Sequence, residues 1–217
     1  NVSIIGFDNG AQSEKIVDGV HASTINSDLT TSATDLTTAK QMGENANITF
    51  MGTTKGGAFD IPTESARSLL SKPNAHAVKN LDVIHPWING SDLVQRERGM
   101  WIIDFGTSDD ISKAAKYEEP FKKIETEVKP ERIENKRESY AEKWWLHVEP
   151  RPALREAING KKRFLVTTRV AKYRMFRWFS TPTLPDSATF AFAREDDYFF
   201  GVLQSSLHAL GAVAQGT

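Results

Sequence analysis

Strand-like and helix-like stretches follow one another along this chain without regular alternation. Short apolar runs at 48–52 and 100–105 have the length and composition of strands, and the second follows a stretch, 83–87, that leads to the turn Asn89-Gly90-Ser91. Between the two runs, Pro62, Thr63 and Glu64 open a short helix through Ser71, with Leu69 and Leu70 facing inward. A stretch dense in Glu, Lys and Arg then runs from Ser112 to about Trp145 and predicts one long helix, or two joined near Pro130. Seven basic and six acidic residues interleave between Phe121 and Lys143, the pattern of a solvated helical face. A helix over 153–158 stops at Asn159-Gly160, strands resume at 164–166, 175–179 and 188–193, and 197–213 predicts one amphipathic helix burying Phe200, Leu203, Leu207 and Leu210. This order favours an α+β fold of mixed strands and helices over a doubly wound sheet. Near the start, Val2–Phe7 reads as a strand ending at Asp8-Asn9-Gly10, and a Thr- and Ser-rich connector follows from about His21 to Lys40.

The 217 residues suffice for one ordinary domain, or one domain and a fragment of a neighbour. A 39% apolar and 25% charged composition is that of a soluble globular protein, and no apolar run approaches the ~18 residues that a membrane helix needs. No cysteine is present, which removes disulfides, thiolate zinc sites and cysteine nucleophiles and fits the cytoplasm. The sequons at Asn1, Asn47 and Asn89 read as chance occurrences, because no signal-peptide pattern precedes them. The chain opens without methionine on a strand-like run and closes amid an apolar helical pattern, so it is expected to be a piece of a longer protein.

Catalytic signatures are missing. In Gly52-Thr53-Thr54-Lys55-Gly56-Gly57 the lysine precedes the second glycine, the wrong register for a phosphate loop. The histidines at 21, 76, 85, 147 and 208 form no pair at metal-ligand spacing. Asp104 with Glu127 and Lys129 imitates a metal-dependent nuclease, but the Glu-x-Lys lies in a charge-alternating helical stretch, and magnesium-dependent cleavage is not expected. No Gly-x-Ser-x-Gly occurs. The fragment itself is expected to be non-catalytic.

What stands out is charge segregation. The chain holds 27 basic and 28 acidic residues, yet nine Lys and Arg and a single acid fall between Arg151 and Trp178. That window carries +8 and leaves −9 on the rest, the footprint of a surface that meets a polyanion. Lys161, Lys162 and Arg163 follow a turn and suit phosphate contacts. Arg169, Lys172, Arg174 and Arg177 are interleaved with Tyr173, Phe176 and Trp178, and their arginine forks suit both the backbone and the guanine edge. If 172–178 is a strand, Lys172, Arg174, Phe176 and Trp178 share one face, and Tyr173, Met175 and Arg177 the other. An edge strand guarded by basic residues is the plainer explanation of part of this charge.

Several segments in order resemble the C-terminal target recognition region of MmeI-like (type IIL) adenine-specific DNA methyltransferases of restriction-modification systems. They are FMGTTKGGAF (50–59), VIHPWINGSDL (83–93), WIIDF (101–105), KPER (129–132), WWL (144–146), PRP (150–152), TRVAK (168–172) and YFFGVLQSS (198–206). The resemblance implies that residues 1–45 are the tail end of a methyltransferase sheet with a connector, and that 46–217 are a target recognition domain. The family's catalytic Asn-Pro-Pro-Tyr-type and S-adenosylmethionine motifs are absent here, so it implies that methyl transfer and S-adenosylmethionine belong to an upstream methyltransferase domain of the same chain, with no cofactor in this fragment. Its specificity positions, carried over, fall on Ala171, Lys172, Tyr173 and Arg174. The expected partner is double-stranded DNA, with no membrane. A protein-interaction or regulatory module binding an acidic partner is the alternative.

Overall fold

The computed structural model describes residues 4–26, 29–31, 40, 42–171 and 174–215. They divide into two compact units, one of residues 1–44 with 210–217 and one of residues 45–209. In the first, β1 (Lys15–Val17) and β2 (Val20–Ala22) form an antiparallel hairpin. Its turn, Asp18-Gly19, holds φ at 51° and 81°, the double positive φ that a two-residue hairpin turn demands and that Asp-Gly supplies. The expected strand at 2–7 is not found in its described part: residues 4–7 pair with no strand, and Ile4 and Phe7 are exposed. Val2 and Ser3, with part of the connector, lie outside the described residues.

The second unit carries two four-stranded sheets. One is antiparallel throughout and joins β3 (Thr49–Met51), β10 (Thr189–Phe192), β7 (Arg163–Thr168) and β8 (Phe176–Ser180) in that order. The other orders β4 (Asp60–Pro62), β6 (Met100–Ile103), β5 (Ile84–Ile88) and β9 (Leu184–Pro185), with β9 parallel to β5. Strand β7 lies inside the sheet and is buried from Phe164 to Thr168, which is why Phe164, Leu165 and Val166 are consecutive apolar residues and do not alternate with polar ones. Its Phe164 and Val166 pack with Ile88, Leu93, Leu154 and Ile158 on one face. Leu165 turns to the other, where Phe176 and Leu203 meet it and Trp178, Phe192, Phe199 and Phe200 flank it. Strand β8 shows the expected alternation over 176–179, although Arg174 and Met175 precede it and are not strand.

After α1 (Thr63–Leu70) and α2 (Gly90–Val94), four short helices stand where one long helix or two were expected, α3 (Ile111–Ala115), α4 (Glu118–Glu127), α5 (Lys129–Ile133) and α6 (Glu138–Glu142), the α4–α5 break falling beside Pro130 as the second alternative had it, and α7 (Pro152–Ile158) follows them. Ile124, Val128 and Arg132, four residues apart, form the stripe that is buried. The solvated side carries the pairs Lys123–Glu127 and Lys129–Glu125. Arg132 is buried inside that charge-rich run, donating to the Lys55 and Leu146 carbonyls at 3.0 Å each. The last expected helix is also broken, into α8 (Asp197–Gln204) and α9 (Ser206–Gln215). Ser205 between them is extended, and its hydroxyl accepts from the His208 N–H at 3.2 Å, capping the new start. Leu203 is therefore buried and Phe200 half-buried, whereas Leu207 and Leu210 are exposed and not part of one buried stripe.

The glycine-rich loop has a packing role. A Cβ on Gly52 would collide with the Pro185 and Asp186 carbonyls, and one on Gly56, at φ +66°, with Val148. Lys55 pairs with Asp60. Among the described residues, no helix is long and apolar enough to cross a membrane.

Candidate nucleic-acid interface

The structure sorts eight of the nine cations of the basic window by whether an acid already matches them. Arg151 pairs with Glu149, and it also donates to the Gly52 carbonyl. Arg155 pairs with Asp104. Arg163 donates to the Glu195 carbonyl at 2.8 Å, pairs with Asp197 at 2.8 Å and stacks 3.9 Å over the Trp178 ring. Arg177 donates to the Asp92 carbonyl at 2.7 Å and to Glu97 at 2.6 Å. These four hold elements together. Lys161, Lys162, Arg169 and Arg174 form no ion pair among the described residues. Lys172 and Tyr173 lie outside the described residues.

The four unmatched cations stand beyond the two ends of β7. Lys161 and Lys162 follow the turn at Gly160, whose φ of +76° suits glycine. At the other end Arg169 is fixed by its N–H to the Ala188 carbonyl, at 2.8 Å. Arg174 folds back so that Nη1 donates to the Thr168 carbonyl at 3.2 Å, drawing the base of the loop together.

Beside that loop lies an open groove of about 800 Å³. One wall is Thr168, Arg169, Val170 and Ala171 with Met175, another is α2 (Gly90–Val94), and the turn at Ser187 and Ala188 completes it. The α2 wall is fixed from several sides. Asn89 caps it by accepting from the Ser91 N–H at 2.9 Å, and Asp92, 2% exposed, accepts from the Asn89 N–H and from the Arg98 N–H and guanidinium. Burial alone would raise the Asp92 carboxyl, but the Arg98 and backbone donors hold it below the usual carboxylate range.

Of the sequence-derived site, then, Arg169 and Ala171 line the groove and Arg174 braces it, while Lys161 and Lys162 lie past the far end of β7. Arg163 and Arg177 serve the frame. Sequence reasoning missed the α2 wall, Val170, Met175 and the Ser187–Ala188 turn. The available signal was Asn89-Gly90-Ser91-Asp92, which reads as a turn but is a capped helix start.

A second polar constellation is structural. Arg155 donates to both Asp104 oxygens, at 2.6 and 3.0 Å, and the Gly106 N–H adds a third bond. His147 Nε2 donates to the Ile103 carbonyl at 3.0 Å, leaving Nδ1 3.7 Å from Asp104. Asp104 is thus sealed under Arg155, and Glu127 is engaged by Lys123 on α4. Among the described residues no group of His, Cys, Asp and Glu is placed to hold a metal.

Burial lowers the pKa of both His85 and His147 from 6.5, against the opposing pull of Asp104. A group with a depressed folded pKa adds stability above its unfolded value and loses it as the pH falls. The chain is therefore expected to lose stability from pH 7 to pH 5, each histidine that charges on unfolding contributing up to ~1.4 kcal/mol per pH unit. Urea midpoints at the two pH values check this, and His85→Gln should flatten the dependence. Equal midpoints would contradict it.

No protein-family model matches the chain, and no curated protein matches it. Among solved structures it is similar to the Type IIL restriction-modification enzyme MmeI in complex with DNA, with a TM-score of 0.63 and 13% sequence identity over 88% of this chain. The match spans 25% of the MmeI chain, about a quarter of its length. At that identity the likeness establishes the fold, which is α+β as the order of elements led us to expect.

Proposed function

We propose that this chain is the sequence-reading module of a restriction-modification DNA methyltransferase, docking on duplex DNA through the groove and the cations around β7. The observation that carries the reading is the set of four cations, Lys161, Lys162, Arg169 and Arg174, whose side chains form no ion pair among the described residues; the Glu195 carboxylate beside Lys162 accepts from its backbone N–H. From Lys162 to Arg169 the chain runs seven steps, roughly 23 Å at ~3.3 Å per residue. That reach exceeds the ~12 Å width of a major groove, so the two groups can meet phosphates on either side of it. Support also comes from the shared fold with an enzyme solved in complex with DNA.

In this reading Lys161, Lys162 and Arg169 neutralise phosphates, Ala171 and Arg174 stand at the base edges, and Arg163 and Arg177 keep the frame in register. Methyl transfer to a flipped adenine belongs to the methyltransferase domain of the intact protein, which binds S-adenosylmethionine; this module brings the target to it in the cytoplasm.

The test is to incubate the chain with a pool of randomised duplexes at rising salt and sequence the retained fraction. A shared motif, with affinity falling at a log-log slope of about −0.9 per phosphate contacted, is the expected result. Retention without a motif would remove the sequence-reading claim, and no retention at low salt would favour an acidic protein partner. Arg174→Ala should relax one position of the motif by about 1–3 kcal/mol, whereas Lys162→Ala should weaken every duplex alike. Parallel losses on all sequences from both variants would take the readout role from Arg174.

A further inference from the structure

The groove beside the loop is lined mainly by carbon. Among the described residues Val94, Thr168, Val170, Ala171, Met175 and Ala188 surround it, and Arg169 is the charged residue on its wall. Val170 is 85% exposed, Val94 49% and Met175 38%. The frame holds these side chains out into solvent: the Arg169 N–H is tied to Ala188, and Arg174 closes the loop on Thr168. A surface built only to grip phosphates has no use for an apolar floor, because phosphates are met by charge and by hydrogen-bond donors. On the major-groove edge of a duplex the apolar group is the C5-methyl of thymine, which side chains of this kind contact.

We infer that this groove reads the C5-methyl group of one thymine, with Val170 as the residue in contact and Val94 and Met175 flanking it. The inference rests on the duplex reading above and extends it to a recognition element that carries no charge. The unmatched cations Arg169 and Arg174 beside the groove supply the charge complementarity that brings the base edge to Val170.

The experiment takes the motif recovered from the randomised pool and replaces each thymine in turn by deoxyuridine, which removes the methyl and nothing else. One position is expected to lose affinity about fourfold, the worth of one buried methyl group, while the others are unaffected. In Val170→Asn that position should no longer distinguish thymine from uracil. Because Val170 is so exposed, the variant should melt with the parent chain, and a circular-dichroism melt verifies this. Deoxyuridine tolerated at every position, a motif without thymine, or a uracil penalty that persists in Val170→Asn would each overturn the inference while leaving sequence-specific binding in place. If no motif is recovered, the duplex reading falls first and this inference falls with it.

Discussion

Arg155→Ala is expected to destabilise the chain by about 3–5 kcal/mol, the cost of stranding a buried charge. Asp104 has a side chain only 1% exposed, and Arg155 supplies two of its three hydrogen bonds. Burial pushes the Asp104 carboxyl up, but the charges of His147 and Arg155 and the Arg155 hydrogen bonds outweigh it and hold it at about 2, against 3.8 for the free side chain. A depressed pKa stabilises above the unfolded value and is lost as the pH falls through the folded one. Asp104 thus contributes about 2 kcal/mol above pH 4 that disappears toward pH 2. Denaturant titrations at pH 7 and at pH 3 measure both effects. Joint replacement, Asp104→Leu with Arg155→Met, should recover most of the loss by removing both charges together. A single Arg155→Ala variant within 1 kcal/mol of the parent chain would show that water, not the guanidinium, satisfies the carboxylate.

Reversing three unmatched cations at once, Lys161→Glu with Lys162→Glu and Arg169→Glu, should lower duplex affinity more than hundredfold at 0.1 M salt with little change in the melting temperature. Each lost phosphate contact takes about 0.9 from the magnitude of the salt slope, so the slope should become shallower by about 2.7. Arg163→Ala is the informative contrast. It removes the tie from β7 to Glu195 and Asp197, so it should lower the melting temperature and leave the salt slope nearly unchanged. Fluorescence anisotropy across a salt series separates the two variants. If Arg163→Ala flattened the slope as much as one of the lysine changes does, the division between framing and docking cations would be mistaken.

What could be read from the sequence depended on how local each cause was. Strands β7, β8 and β10 were legible because aromatic and branched residues crowd them between turn signals. Strand β4 was not, since Asp60 and Pro62 look like loop and its pairing comes from Met100–Ile102, some 40 residues on. The long charged stretch showed its composition and a junction near Pro130, but not its other two breaks, which depend on where the short helices find a core. The excess of cations was plain in the composition, but the pairing was hidden. Arg163, Arg155 and Arg177 meet acids 34, 51 and 80 residues away. An uncoupled charge and a coupled one look alike until the chain is folded.

The way the loop after β7 is held has a consequence for descent. Its start is fixed through backbone atoms, by the Arg169 N–H on Ala188, and Arg174 grips a carbonyl and not a side chain. Exchanging the side chain of Val170 or Ala171 therefore disturbs no hydrogen bond among the described residues. Inheritance can alter what the groove accepts one residue at a time, while the sheet beneath answers to a separate pressure, that of remaining folded.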